Sequence, residues 1–215
     1  MVETEPFHTR NVEQPVPPTA ENVVRRMREA TWPVHERLHL HPVLRPLTQR
    51  HPAPEGYLGA VRALYGFVIP MEPLLGAEAE GRTARAPLLA ADLECLAEGG
   101  ADRPEPPLAG DLPNPATAAA RLGCRWVLDG SAHGGRAMLP HLQRSLGVGP
   151  DRGAAYFASA GLDLAAERRS LQALLDRFVT TEDTCREAIE AAGATFSALE
   201  RWLDQLRDSC GTPRP

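Results

Sequence analysis

The sequence predicts an all-α fold, a multi-helical single domain, and three observations predict it. Apolar residues recur at three- and four-residue spacing in one segment after another. Proline and glycine fall between those segments rather than inside most of them. Almost nothing reads as a strand, and no internal repeat is visible. In order, residues 1–18 form a polar, proline-rich arm with Pro15, Pro17 and Pro18 close together, a composition that predicts disorder. Residues about 20–40 carry Val23, Val24, Met27, Val34 and Leu38, one buried stripe. Pro54-Glu55 opens a second helix with Tyr57, Leu58, Val61, Leu64, Tyr65 and Val68 on its apolar face. It runs to Pro70, where a bend or stop is expected, with a continuation over Glu72 to Leu75. Leu88, Leu89, Leu93 and Leu96 mark a third helix over about 84–97, and Gly99 to Pro115 is a loop. Residues about 115–146 form a long helix expected to break or bend around Gly130 to Gly135. Two helices follow over 151–160 and 163–179, and Thr181 to Leu206 closes the chain, with Thr181-Glu182-Asp183 supplying a cap and first-turn acids. The count is seven or eight helices in a domain over 19–208, followed by a short tail at 209–215.

Composition narrows the function. A chain of 215 residues with 43% hydrophobic residues is large enough for a real core. Its net charge of −5 argues against nucleic acid as a main partner, since phosphate binding needs a clustered basic surface. The longest uninterrupted apolar run falls short of the roughly 18 residues of a membrane span. The N-terminus lacks a basic-then-apolar leader pattern. Cys95, Cys124, Cys185 and Cys210 are widely spread and form no CxxC, which fits reduced thiols in a cytoplasmic protein.

The most informative stretch is Leu128-Asp129-Gly130-Ser131-Ala132-His133-Gly134-Gly135. Gly130 and Gly134 sit one helical turn apart on one face, where each glycine costs about 1 kcal/mol relative to alanine. The usual reason is a flat or bulky group that must approach the backbone; a tight helix crossing or a turn between helices is the other reading. Upstream, Arg28-Glu29-Ala30-Thr31-Trp32-Pro33-Val34-His35 places one imidazole on the first helix. One imidazole and one glycine-paved helix face suit a haem clamped between two helices with one axial side open.

These residues carry a resemblance. Arg-Glu-Ala-Thr-x-x-Val-His at 28–35 resembles the proximal-helix motif of biliverdin-producing haem oxygenases. Val127-Leu128-Asp129-Gly130-Ser131-x-x-Gly134-Gly135 resembles the distal-helix motif of the bacterial type found beside bacteriophytochromes. Tyr65-Gly66-Phe67 followed by Glu72, Leu89-x-x-Asp92-Leu93, and Ala188-x-x-Ala191 with Phe196 and Trp202 are weaker matches in the same order. The resemblance implies haem as both substrate and cofactor, with His35 as the axial iron ligand. It implies a distal wall of Gly130, Ser131 and Gly134 that leaves room for dioxygen. Arg28, two turns before His35 on the same face, is the first propionate partner; Arg168, Arg169 and Arg177 are further ones. An external electron donor, a ferredoxin or a reductase, is implied, because the chain has no nucleotide loop of its own. A bilin-binding photoreceptor is a further partner that the resemblance suggests.

Four features depart from the family's pattern. Pro33 lies two residues before the ligand and should kink or restart the helix. His39 stands where many members carry a carboxylate that tunes the imidazole. Ser131 replaces the aspartate of animal-type enzymes. His133, between the glycines, blocks the iron if it points inward and serves a water chain if it points aside; the helical angle favours aside. These departures keep open a haem oxygenase-like tetrapyrrole-binding or regulatory module without turnover. A different enzyme of similar architecture ranks last: Glu36-x-x-His39 has no second ExxH to complete a di-iron site.

Overall fold

A computed structural model describes residues 18–97 and 105–209. Apart from Pro18 and Ser209, the N-terminal arm and C-terminal tail expected from composition lie outside the described residues, as does Cys210. Seven α-helices and no strand are present among the described residues. Helix α1 (Ala20–Leu40) starts at Thr19, whose side chain accepts from the Asn22 N–H, and buries Val23, Met27, Val34 and Leu38. Its first amide is tied to Asp176 at 2.9 Å. Pro33 was expected to kink or restart this helix, but α1 runs through it. One backbone hydrogen bond is lost there, and the ordered turns on either side retain the helix.

Helix α2 (Pro54–Met71) also contains a proline, Pro70, and passes directly into a 3-10 run over Glu72–Ala79 that turns at Gly76, φ 54°. The stretch Pro54–Ala79 is long and apolar enough by composition to cross a bilayer, and half of its most apolar window is buried inside the fold. That apolarity serves packing: Tyr57, Val61, Phe67 and Met71 are in the core. Helix α3 (Ala86–Ala97) follows. Residues 105–115, the described part of the expected loop, have no regular structure.

Helix α4 (Ala118–Leu146) is capped by Thr117 and ends at Gly147 in the left-handed region. The expected break at Gly130 to Gly135 does not occur. The helix is continuous for 29 residues, Pro140 included, because its two ends are held against different parts of the core. A short α5 (Ala155–Ala158) is anchored by Asp92, which accepts from the Ala155 and Tyr156 amides at 2.6 and 2.9 Å. Helices α6 (Leu164–Phe178) and α7 (Glu182–Ser209) complete the chain. Thr181 caps α7 through the Thr184 amide, 3.2 Å, with Glu182 and Asp183 in the first turn as expected.

The long α7 organises the rest. Both α1 and α4 pack on it, yet they make at most marginal contact with each other. At the α4–α7 crossing the backbones nearly touch: a Cβ on Gly123 would lie 2.1 Å from the Ala188 carbonyl oxygen. Trp202 of α7 donates its indole N–H to the Ala63 carbonyl of α2 at 2.9 Å. Cys124 and Cys185 are buried free thiols, and Cys95 is a partly buried one.

Candidate functional site

Because α1 and α4 share α7 but stand apart, a space remains between them. It is a cavity of about 850 Å³, within the range of small-molecule and cofactor sites. Its floor is Phe196 of α7, which meets the His35 ring edge-on at 5.8 Å and the Trp126 ring at 6.5 Å, so a single aromatic side chain links the two walls. Its lining combines cationic and polar side chains, Arg25, Arg28, Arg168 and Gln172 among them, with apolar ones such as Leu44, Leu47, Leu64 and Met138. That combination suits a largely apolar ligand that carries anionic groups.

The α1 wall carries His35. Its ring is stacked on Trp32 at 5.7 Å and meets His39 edge-on at 4.6 Å. Nδ1 is buried with no hydrogen-bond partner. Burial, reinforced by the neighbouring His39, lowers the His35 pKa below its ordinary 6.5, against a smaller opposing effect of Glu36. The imidazole is therefore neutral at pH 7, the form that ligates a metal. Trp32 itself is 51% exposed at the cavity edge. His39 lines the cavity beside His35. His41 does not line it: it ends α1, with Nδ1 accepting from the Val43 amide at 3.3 Å.

The α4 wall is backbone. Gly130 and Gly134 both line the cavity, and a Cβ built on either meets nothing within 4 Å. Neither glycine is there for a tight helix crossing, the alternative that their spacing allowed; that role falls to Gly123. Gly135 faces away, where a Cβ would press on Phe157 Cα at 3.3 Å. The three glycines of the motif thus separate into two that open the cavity and one that packs. Ser131 and the exposed His133 also line the space.

Behind the glycines lies a buried polar cluster. Asp129 accepts from Arg82 Nε at 2.6 Å and from Arg125 Nε at 3.1 Å. Glu72 accepts from Arg82 Nη1 at 2.7 Å and from the Arg85 amide at 2.6 Å. Glu167 accepts from both terminal nitrogens of Arg85 and from the Thr83 amide at 2.9 Å. Arg125, fully buried, also donates to the Glu78 and Glu80 carbonyls, each at 2.8 Å. Burial pushes the Glu167 pKa up, but the hydrogen bonds from Arg85 and Thr83 outweigh it and leave it lowered. Burial likewise lowers Arg82, and Asp129 and Glu72 outweigh it, leaving it raised. Two donors, Arg82 Nη2 and Arg85 Nε, are buried without an acceptor. The cluster meets the cavity through Arg85, Asp129 and Glu167, and through Tyr156, whose hydroxyl donates to Ser131 Oγ at 2.9 Å.

Of the residues singled out from sequence, Arg28, His35, Gly130, Ser131 and Gly134 all line this one cavity. Arg177 does not: its guanidinium lies over the Phe178 ring at 4.9 Å, on a face of α6 turned from the cavity, while Arg168 lines it. Arg28 is about 10 Å along α1 from His35 at 1.5 Å per residue. Three features escaped the sequence reading. The arginine–carboxylate cluster went unread; its one local signal is Arg125-x-x-x-Asp129 at helical spacing. Tyr156 left no signal, and Asp92 was visible only as part of a weak match.

The residues fit a haem. A neutral imidazole and a glycine cradle that side chains would fill line one cavity, and Arg28 and Arg168 line it with them. No protein-family model matches this chain, and no curated protein matches it in sequence. Solved structures do. The chain is similar to the haem oxygenase of Neisseria meningitidis, solved with NO and CO bound, over 89% of its length and 93% of that chain (TM-score 0.65, 20% identity). It is similar to the haem oxygenase of Leptospira interrogans over 85% of its length and 98% of that chain (TM-score 0.66, 13% identity). The all-α fold is that of haem oxygenases.

Proposed function

We propose that this protein is a haem oxygenase that opens haem to biliverdin, CO and iron with dioxygen and electrons from an external donor. One observation carries the reading: the Cβ positions of Gly130 and Gly134 open onto a cavity that His35 of α1 also lines. Haem, when bound, supplies both the iron that activates dioxygen and the ring that is cleaved. The chain's part is placement. His35 would hold the iron from α1, and Gly130 and Gly134 leave their part of the α4 wall of the cavity free of side chains. Arg28 and Arg168, for which no ion pair is found among the described residues, receive the propionates, a pairing that guanidinium geometry favours. Ser131 is the polar group of the distal wall. The distal motif resembles the bacteriophytochrome-associated type, so a bilin-binding photoreceptor is the consumer this reading suggests, and a ferredoxin or reductase the electron source.

A second reading has its own observation. His39 and His133 also line the cavity, so a second imidazole is available to the open face. A haem held by two histidines would make the protein a tetrapyrrole-binding or regulatory module without turnover. A haemin titration of the purified protein, followed by ascorbate under air with an iron chelator, separates the two. The oxygenase reading expects a saturable 1:1 Soret band that decays into the broad red absorption of biliverdin. A six-coordinate spectrum that is stable to ascorbate supports the module. His35→Ala is expected to abolish the five-coordinate ferric spectrum and His39→Ala to preserve it; an unchanged spectrum in His35→Ala removes His35 as ligand.

A further inference from the structure

We infer that Tyr156 is the positioning residue that turns Ser131 into a proton-passing group of the distal wall. The inference rests on the haem oxygenase reading above.

A hydroxyl has one proton and two lone pairs. Ser131 donates its proton to the Leu128 carbonyl at 2.6 Å and accepts from Tyr156 at 2.9 Å. One lone pair is left, on a residue of the cavity wall. In this arrangement Ser131 offers the cavity an acceptor and no proton. Rotation about Cβ–Oγ changes that without moving a heavy atom: the proton swings from Leu128 to the cavity. Leu128 loses little, because its carbonyl is also the acceptor for the Ala132 amide in an unbroken helix. The Tyr156 bond survives the rotation, fixes the serine oxygen, and polarises its O–H. A serine alone is a poor organiser of protons; a serine fed by a fixed phenol is a directed donor.

The surroundings of the phenol fit this use. Tyr156 is buried, and its backbone is clamped by Asp92. Burial pushes its pKa up, so the hydroxyl stays protonated and able to donate at rest, while Arg85 and Arg82 act in the opposite direction and Glu72 with burial. Asp129 and Glu167 complete the charged shell by pairing with those arginines. Arg82 Nη2 and Arg85 Nε are the two buried donors that no acceptor uses. One turn of the relay moves one proton. Ser131 gives its proton to an acceptor in the cavity and takes that of Tyr156. The phenolate that this leaves is disfavoured by burial and favoured by the nearby charges of Arg85 and Arg82, and a proton from solvent must restore the phenol.

The test uses the full chain loaded with haem, as wild type, Tyr156→Phe, Ser131→Ala and the double variant. The first readout is the acid–alkaline transition of the ferric complex, followed optically. The others are haem affinity and ascorbate-driven turnover. Tyr156→Phe is expected to move the transition by about 0.5 to 1 pH unit, the size one neutral hydrogen bond supports. It should slow turnover about tenfold or more while haem affinity stays within about twofold. Ser131→Ala should shift the transition in the same direction, and the double variant no further than the larger single one, because the two hydroxyls act as a unit. A normal 1:1 Soret titration with an unshifted transition in Tyr156→Phe overturns the role of Tyr156 and leaves the haem reading standing. Additive shifts overturn it too. Ser131→Ala, which removes only an oxygen from a partly exposed site, decides the matter if Tyr156→Phe does not fold: an unshifted transition there is equally fatal. Failure of the wild type to bind haem removes both readings, and the titration shows which case applies.

Discussion

On α1, His35 stands among rings, with Trp32 on one side, His39 and Phe196 at its edges, and a buried nitrogen that bonds to nothing. On α4, Gly130 and Gly134 present bare backbone, but immediately behind them Asp129 is held by two arginines that reach on to Glu72 and two backbone carbonyls. The first wall leaves a ring nitrogen without a hydrogen-bond partner; the second ties its supporting side chains into a network. The contrast follows from what each must do. A metal ligand needs a lone pair that no other group has claimed. A surface meant to stay open at short range needs a rigid frame, since it has no side chains of its own to hold its shape.

The comparison can be broken in four places, in order of expected effect. Asp129→Ala removes the carboxylate shared by Arg82 and Arg125 and leaves buried positive charge uncompensated. It should cost about 3–5 kcal/mol in chemical denaturation; a loss under about 1 kcal/mol would show that the cluster does not brace the wall. Gly123→Ala, which drives a methyl into the Ala188 carbonyl, should lower stability by about 1–3 kcal/mol through displacement of α4 from α7. Gly134→Ala should do the reverse and raise the stability of the haem-free protein by about 1 kcal/mol, since the added methyl meets nothing and the helix gains. The same variant should bind haem more weakly than wild type, and equal affinity would place the ligand elsewhere. The smallest effect is the pH dependence of His35. Its folded pKa is lowered, so the unfolded chain takes up a proton first as the medium is acidified. Its contribution to stability is complete above about 6.5 and is lost as pH falls from there toward the lower folded value. The thermal midpoint of wild type should therefore fall relative to that of His35→Gln on acidification in that window, and a constant difference would contradict it.

Much of the frame was legible in the chain. Thr181, read as a cap from the sequence, does cap α7, and Thr19, Thr117 and Asp163, which were not singled out, start α1, α4 and α6 through the same kind of local side-chain bond. Arg28, His35, Gly130, Ser131 and Gly134 line one cavity, and the two motifs whose resemblance suggested them lie on helices that did form. Local rules failed where tertiary contacts outweigh them. Pro33 and the Gly130–Gly135 run were expected to interrupt their helices, and did not, because helix stability in a protein comes mostly from the packed face rather than from propensity. Arg177 was misplaced because helical phase alone cannot say which of three arginines on α6 faces the cavity.

The sequence by itself determined the helices, their order, and the two residue types that face one another, an imidazole and a paired glycine, because these depend on periods of three and four residues and on the absence of a Cβ. Only the tertiary structure decided the width of the gap between α1 and α4, set by the way both lie on α7. Only it decided which charges are buried together and which tyrosine meets Ser131. The Ser131–Tyr156, Arg82–Asp129 and Arg85–Glu167 contacts join residues 25, 47 and 82 positions apart, and no local pattern encodes a pairing whose energy exists only after the chain has excluded water from both partners.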